Sequence, residues 1–208
     1  MDRFVITIGR LCGSGGTFIG QELCRRLGIE LYDRNLLSLA AEDSGISEEL
    51  FANADEKLKS SLIYKVSRSV YKGELIPPES DNFVSNRNLF NYQAKVLKEL
   101  ANRESFVVIG RCADFVLRDH PGLLRVFVTA DREFCIRTEE HRLSLSRHDA
   151  ETRVAKQNKY RAEYYRYYTG QTWDDPRNYD LCLNTGTLSY ADCAELIIRR
   201  LEMQQTQK

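Results

Sequence analysis

The sequence predicts an α/β fold, a three-layer, doubly wound, parallel five-stranded sheet with helices on both faces. Three observations carry that expectation. Five short runs rich in Val, Ile, Leu and Phe recur along the 208 residues, separated by segments of helical periodicity. Those runs show little polar alternation, as strands covered on both faces do. A glycine-rich turn joins the first run to the first helical pattern, where sheets of this kind open onto a ligand.

The elements follow in order. Residues 3–8 form the first strand, and Val5-Ile6-Thr7-Ile8 is its apolar centre. After the glycine turn, Phe18, Ile19, Leu23 and Leu27 recur at helical spacing, and Gly28 supplies a left-handed stop. Ile29 to Tyr32 gives a second strand that ends at Asp33. From Asn35 to about Ser69 the pattern is helical, with a start signal at Ser47 followed by Glu48 and Glu49. Tyr71 to Arg87, with Gly73 and Pro77-Pro78, reads as a mobile loop. Leu89 to Leu100 restores a helical face that Asn102-Arg103 closes, and Phe106 to Ile109 is the third strand. His120-Pro121-Gly122 turns into a fourth strand at Leu124–Val128. Asp131 caps a helix to about Ser146, and Asp149 is expected to cap another that stops at Gly170. Trp173 to Pro176 is a turn and Tyr179 to Asn184 the fifth strand. Ser189 and Asp192 open a terminal helix, with a frayed tail expected after Met203.

Composition narrows the function classes. Lys+Arg and Asp+Glu balance at 30 each, so bulk charge does not draw the chain to nucleic acid or to a membrane surface. No apolar run is long enough to span a bilayer, and the N-terminus passes straight into a strand without a signal peptide. Six cysteines are scattered with no C-x-x-C pair, which predicts buried thiols rather than a disulfide or zinc framework, and a cytoplasmic location.

The chemistry concentrates in three places. Gly13-Ser14-Gly15-Gly16-Thr17 has the order of a phosphate cradle, because glycines let backbone N–H groups turn inward and the helix N-terminus adds its positive dipole end. Thr17 is placed to orient Mg²⁺ or a phosphate oxygen. Against the pattern G-x-x-x-x-G-K-[ST], Arg10 stands at the first glycine and Gly16 at the lysine. Arg111, just past the third strand, sits on the ligand rim; it either grips a phosphate or pairs with Asp33. Asp33 itself accepts a hydrogen bond from a ligand, holds Mg²⁺ through water, or caps the next helix. The third place is the run from Lys156 to Tyr168, where Lys156, Lys159, Arg161 and Arg166 are mixed with five tyrosines. Such a flap neutralises transferring charge, and a basic-aromatic mixture also suits single-stranded nucleic acid, against which the even overall charge argues. Cys112 is a reactive thiol or a buried one, His120 a turn residue, and His141 and His148 show no metal spacing.

In order and spacing, Gly13 to Thr17, Leu31-Tyr32-Asp33 and Val107-Val108-Ile109-Gly110-Arg111 resemble a cytidylate kinase. So does the run Arg161 to Gly170 followed by Asp174-Asp175-Pro176-Arg177-Asn178-Tyr179-Asp180-Leu181-Cys182-Leu183-Asn184, which is specifically similar to the cytidylate kinase-like proteins, a divergent branch of the nucleoside monophosphate kinases. The resemblance implies one P-loop kinase-like domain over residues 1–208, with an acceptor-binding helical insertion at 34–88 and a lid at 147–172. It implies transfer of the γ-phosphoryl of ATP, with Mg²⁺, to CMP or dCMP. The cradle would hold the donor phosphates, Arg111 the acceptor phosphate, and Lys156, Lys159 and Arg161 would lie in the lid. Three departures stand out: Gly16 in place of the lysine, Cys112 in place of an aspartate, and Arg34 in place of a serine that helps read cytosine. Arg10 is the first candidate to restore the missing charge. The rival reading is a nucleotide-binding module without turnover, in which Gly16→Lys would create activity.

Overall fold

Five parallel strands form one sheet in the order β2-β3-β1-β4-β5. The computed structural model describes residues 3–33, 35–51, 74–76, 80 and 85–206. The elements are β1 (Val5–Arg10), α1 (Gly16–Leu27), β2 (Glu30–Tyr32), α2 (Asn35–Ser44), α3 (Asn86–Arg103), β3 (Phe106–Ile109), α4 (Ala113–Val116), β4 (Leu123–Thr129), α5 (Arg132–Leu143), α6 (Arg147–Thr169), β5 (Leu181–Asn184) and α7 (Tyr190–Thr206). The central strand is β1, with Val5 level with Phe106 on β3 and with Leu123 on β4.

The side-chain period of two sorts the core into two layers. Ile6, Ile8, Val107, Ile109, Val126 and Val128 point to the face covered by Ile19 and Leu23 of α1 and by Cys193, Ala194 and Ile197 of α7. Val5, Phe106, Val108 and Phe127 point to the other face, covered by α2, α3, α4 and the tyrosines of α6. A sheet apolar on both sides has no polar alternation to show, which is why its strands read as unbroken apolar runs. Trp173 closes the second face: its ring meets Phe127 edge-on at 5.3 Å, and its carbonyl accepts the Tyr179 hydroxyl at 2.5 Å.

Local signals set most boundaries. Gly28 ends α1 at φ 65, Asp131 caps α5 by accepting from the Phe134 N–H at 2.8 Å, and Ser189 and Asp192 cap α7 reciprocally. The helix expected to start at Asp149 starts one turn earlier. Ser146 is its cap, accepting from the Asp149 N–H at 3.1 Å, and Asp149 lies in the first turn facing the dipole. The short helix α4 has no counterpart in the sequence reading, because four residues carry no visible period. Helix α7 continues through Thr206, past the fraying expected at Met203, with Gln204 donating to the Leu123 carbonyl at 3.0 Å. Helix α2 stops at Ser44, before Gly45 at φ 70. Most of the helical pattern expected to Ser69, and most of the loop expected at 71–87, lie outside the described residues.

Candidate functional site

The glycine turn sits at the C-terminal tip of β1, in the middle of the sheet. Gly13 and Gly15 take φ of 83 and 81, values that an L side chain resists. Both are also close-packed: a Cβ on Gly13 would run into the Cys135 carbonyl, and one on Gly15 into the Tyr190 ring. Ser14 is fully buried. Its hydroxyl lies 2.9 Å from the Leu11 carbonyl and 3.0 Å from that of Val128, and its own carbonyl accepts from the Thr185 hydroxyl at 2.9 Å. Ser14 thus pins the turn to β4 through its hydroxyl and to Thr185, just past β5, through its main-chain carbonyl. The Gly15 N-cap of α1 has no side chain to cap the helix, and the first turn carries no acidic residue. The opening N–H groups of α1 therefore keep their attraction for an anion, with Thr17 half-buried at the second helical position.

Beside this turn the structure gathers four charged residues. Arg10 ends β1, Gly110 and Arg111 follow β3, and Asp33 follows β2, so the tips of three adjacent strands meet here. Gly110, Arg111 and Cys112 are consecutive left-handed residues, at φ 71, 60 and 53, and they turn the chain sharply off the C-terminal end of β3. Arg161 reaches in from α6 and donates from Nη1 to the Arg10 carbonyl at 3.0 Å. Burial pushes the Arg10 guanidinium down to about 9, with Arg161 and Arg111 pushing the same way and Asp33 opposing. Burial likewise lowers Arg161. Arginines depressed by their surroundings are short of negative charge, and an anion supplies it. The Asp33 N–H donates to Asn35 Oδ1 at 2.7 Å, which ties the end of β2 to the first residue of α2.

The basic run divides between two faces. Arg161 and Asn158 turn toward the cradle, and Asn158 Oδ1 accepts the Cys12 N–H at 2.7 Å. Lys156, Lys159 and Arg166 turn to solvent; Lys159 lies 3.9 Å from Glu163 on the exposed surface. Lys156 and Lys159, three residues apart on one helix, share a direction, and both are exposed. Tyr164, Tyr165 and Tyr168 are buried, and Tyr168 stacks on Phe90 of α3 with centroids 3.9 Å apart. Tyr160 and Tyr167 are half-buried.

Three features escaped the sequence reading. Asn158 is one; the helical spacing Val154, Asn158, Arg161, Tyr165 marked the inward face and would have found it. Asp114 is the second. It accepts from the Tyr165 hydroxyl at 2.6 Å, and burial raises its carboxyl to about 6 against that hydrogen bond. The third is an open groove of about 510 Å³ at the outer end of the turn, lined by Phe18, Phe134, Arg137, Thr138, His141 and Arg142. Cys112 is buried, and none of the six cysteines is in a disulfide. Arg34 lies outside the described residues. Among the described residues no three His, Cys, Asp or Glu side chains cluster as a metal site, and no helix is long and apolar enough to cross a membrane.

Comparison with known proteins places this architecture. A solved structure from Eubacterium ventriosum, described as an uncharacterized protein, is 24% identical with a TM-score of 0.70, over 96% of this chain and 99% of that one. A shikimate kinase from Bacteroides thetaiotaomicron is 15% identical with a TM-score of 0.51, covering 98% of each chain. A gluconokinase from Sinorhizobium meliloti is 15% identical with a TM-score of 0.51, covering 99% of this chain and 97% of that one. At such identities the likeness is one of fold, that of the P-loop kinases. No curated protein matches the chain. The family model described as cytidylate kinase-like matches residues 5–187, from the first residue of β1 to just beyond β5, and the chain belongs to the cytidylate kinase-like family.

Proposed function

We propose that the protein is an ATP-dependent phosphotransferase whose acceptor is a nucleoside monophosphate of the CMP or dCMP type. The observation that carries this reading is the meeting of Arg10, Arg111, Arg161 and Asp33 at three strand tips beside a glycine turn and an uncapped helix N-terminus. The turn at Gly13, Ser14, Gly15, Gly16 and Thr17 takes the donor phosphates on backbone N–H groups. The Ser14 side chain serves only to hold the turn. The groove between Phe18 and Phe134, about 510 Å³, has room for a nucleoside and takes the donor base in this reading. Arg111 and Arg161 take the acceptor phosphate and the transferring group. The chain has one domain, with 34–88 on the acceptor side and 147–172 as the lid.

In the reaction an oxygen of the acceptor phosphate forms a bond to the γ-phosphorus of ATP while the bond from that phosphorus to the β-phosphate oxygen breaks, yielding ADP and a nucleoside diphosphate. The chain contributes alignment and charge neutralisation without a covalent intermediate. Thr17, and Asp33 through water, fit a Mg²⁺ ion, which would neutralise the charge of the donor phosphates. Lys156 and Lys159 stay on the outer face of the lid and screen charge at long range only.

The test is a panel of nucleoside monophosphates and nucleosides with ATP and excess Mg²⁺, followed by ADP release and product chromatography. Diphosphate formed from CMP or dCMP supports the reading; no product with any acceptor removes it. The second reading, nucleotide binding without turnover, is favoured by Gly16 standing in place of a lysine. Calorimetric binding of ATP in the absence of product would select it.

A further inference from the structure

Gly16 lacks a conformational reason to be glycine. It is the first residue of α1, with none of the positive φ that Gly13 and Gly15 show, and glycine within a helix costs about 1 kcal/mol relative to alanine. The reason is steric and comes from Arg10. A Cβ on Gly16 would lie 2.7 Å from Arg10 Cβ and 2.9 Å from Arg10 Cγ. The Cβ is fixed by the β1 backbone, so no rotamer change relieves the 2.7 Å contact. At its far end the same arginine crosses to the next strand, where its Nη1 lies over Gly110, a residue already held to glycine by its φ of 71. Arg10 therefore lies stretched from the first turn of α1 to the end of β3, with one glycine beneath its stem and another beneath its fork. Its charge is set between the turn and the strand tips that carry Asp33 and Arg111.

We propose that Arg10 is the phosphate-binding cation of this site, moved from the helix to the strand, and that Gly16 is glycine because it makes room for the Arg10 stem. A cation at 10 and any side chain at 16 then exclude each other. Restoring a lysine at 16 in the native background adds no catalytic group; it displaces the one present. The location between helix turn and β3 tip suits a group shared by donor and acceptor, and a planar fork can hold an oxygen from each. The ligand class is a polyphosphate or a pair of phosphates in contact. The inference deepens the phosphoryl-transfer reading and rests on it for the ligand class.

The experiment uses the full chain and inorganic pyrophosphate with Mg²⁺, measured by calorimetry, so that binding is read without any acceptor or turnover. Turnover with ATP and CMP is measured in parallel, and circular dichroism reports folding. Arg10→Ala should lower pyrophosphate affinity about ten- to a hundredfold, the loss of a charge-assisted contact. Gly16→Ala and Gly16→Lys should each lower it by a comparable factor in a folded protein. The exchange Arg10→Gly with Gly16→Lys should recover affinity to within about threefold of the native chain. If Gly16→Lys alone binds pyrophosphate as tightly as the native chain or tighter, the two positions do not compete and the proposal is overturned. Unchanged affinity in Arg10→Ala overturns it equally, and that variant decides the matter should the Gly16 variants fail to fold. Absence of turnover with every acceptor, with these affinity changes intact, removes the kinase reading alone.

Discussion

Arg161 donates from Nη1 to the main-chain carbonyl of Arg10 at 3.0 Å, so two like-charged residues are joined through backbone while their charges are held close together. Both are depressed by burial. Such an arrangement costs stability without a ligand and is relieved by one. Arg161→Ala should lower turnover with ATP and CMP about 10²-fold or more while moving the thermal midpoint little, because a lost hydrogen bond of about 1 kcal/mol is offset by a relieved charge. Arg161→Lys, which keeps charge without the fork, should fall between. Initial rates and a melting curve on the same samples check both.

The outward-facing lysines give the opposite expectation. Lys156→Ala and Lys159→Ala should each leave turnover within about twofold and stability within about 0.5 kcal/mol, since exposed charges and a 3.9 Å surface pair contribute little. A large loss in either would mean that α6 rearranges when ligand binds.

Glu139 is 3% exposed and pairs with two arginines, Arg142 at 2.8 Å and Arg153 at 2.7 Å, tying α5 to α6 behind the turn. Burial alone would raise its carboxyl, and the two guanidiniums more than reverse that. Glu139→Gln should cost about 1–3 kcal/mol in a denaturant titration. That is below the ~3–5 kcal/mol of a fully buried broken pair, because both arginine side chains keep 40% of their exposure and can be hydrated.

Asp114 predicts a pH dependence. Its carboxyl titrates near 6 in the fold against 3.8 ordinarily, through burial. Between those values the folded chain keeps a proton that the unfolded chain has released, so this group's contribution to stability falls as pH rises across the window. Asp114→Asn, which still accepts from the Tyr165 hydroxyl, removes that slope. Urea midpoints should favour the variant more at pH ~7.5 than at pH ~4.5; parallel pH profiles would contradict the assignment.

The sheet was legible because its central strands are apolar on both sides and three of the five run out at or just before a charged residue: β1 at Arg10, β2 before Asp33 and β3 two residues before Arg111. Caps that act within four residues, such as Asp131 and Ser189, were legible too. The missed features depend on partners distant in sequence. Asn158 matters because Cys12, 146 residues away, presents an N–H to it, and nothing beside Asn158 announces that. The direction of Lys156 and Lys159 was set by the tyrosines: burying Tyr164, Tyr165 and Tyr168 against α3 fixes the rotation of α6 and turns both lysines outward. Gly16 was visible as a departure from a pattern, and its cause was not, since a steric exchange with Arg10 exists only once β1 and α1 are brought together.

The edge-on pair of Trp173 and Phe127 gives the molecule a native optical signal. Trp173 is the only tryptophan among the 208 residues and is 7% exposed, so its emission comes from an apolar surround and shifts to longer wavelength when that surround opens. Phe127, its neighbour, stands level with Gly9, the residue before Arg10, and a Cβ on Gly9 would lie 2.9 Å from the Phe127 ring. The fluorophore is thus one aromatic ring removed from the strand that carries the site's central charge. If the proposed ligand binds at that strand tip, titrating it should shift or quench the Trp173 emission, with no label attached.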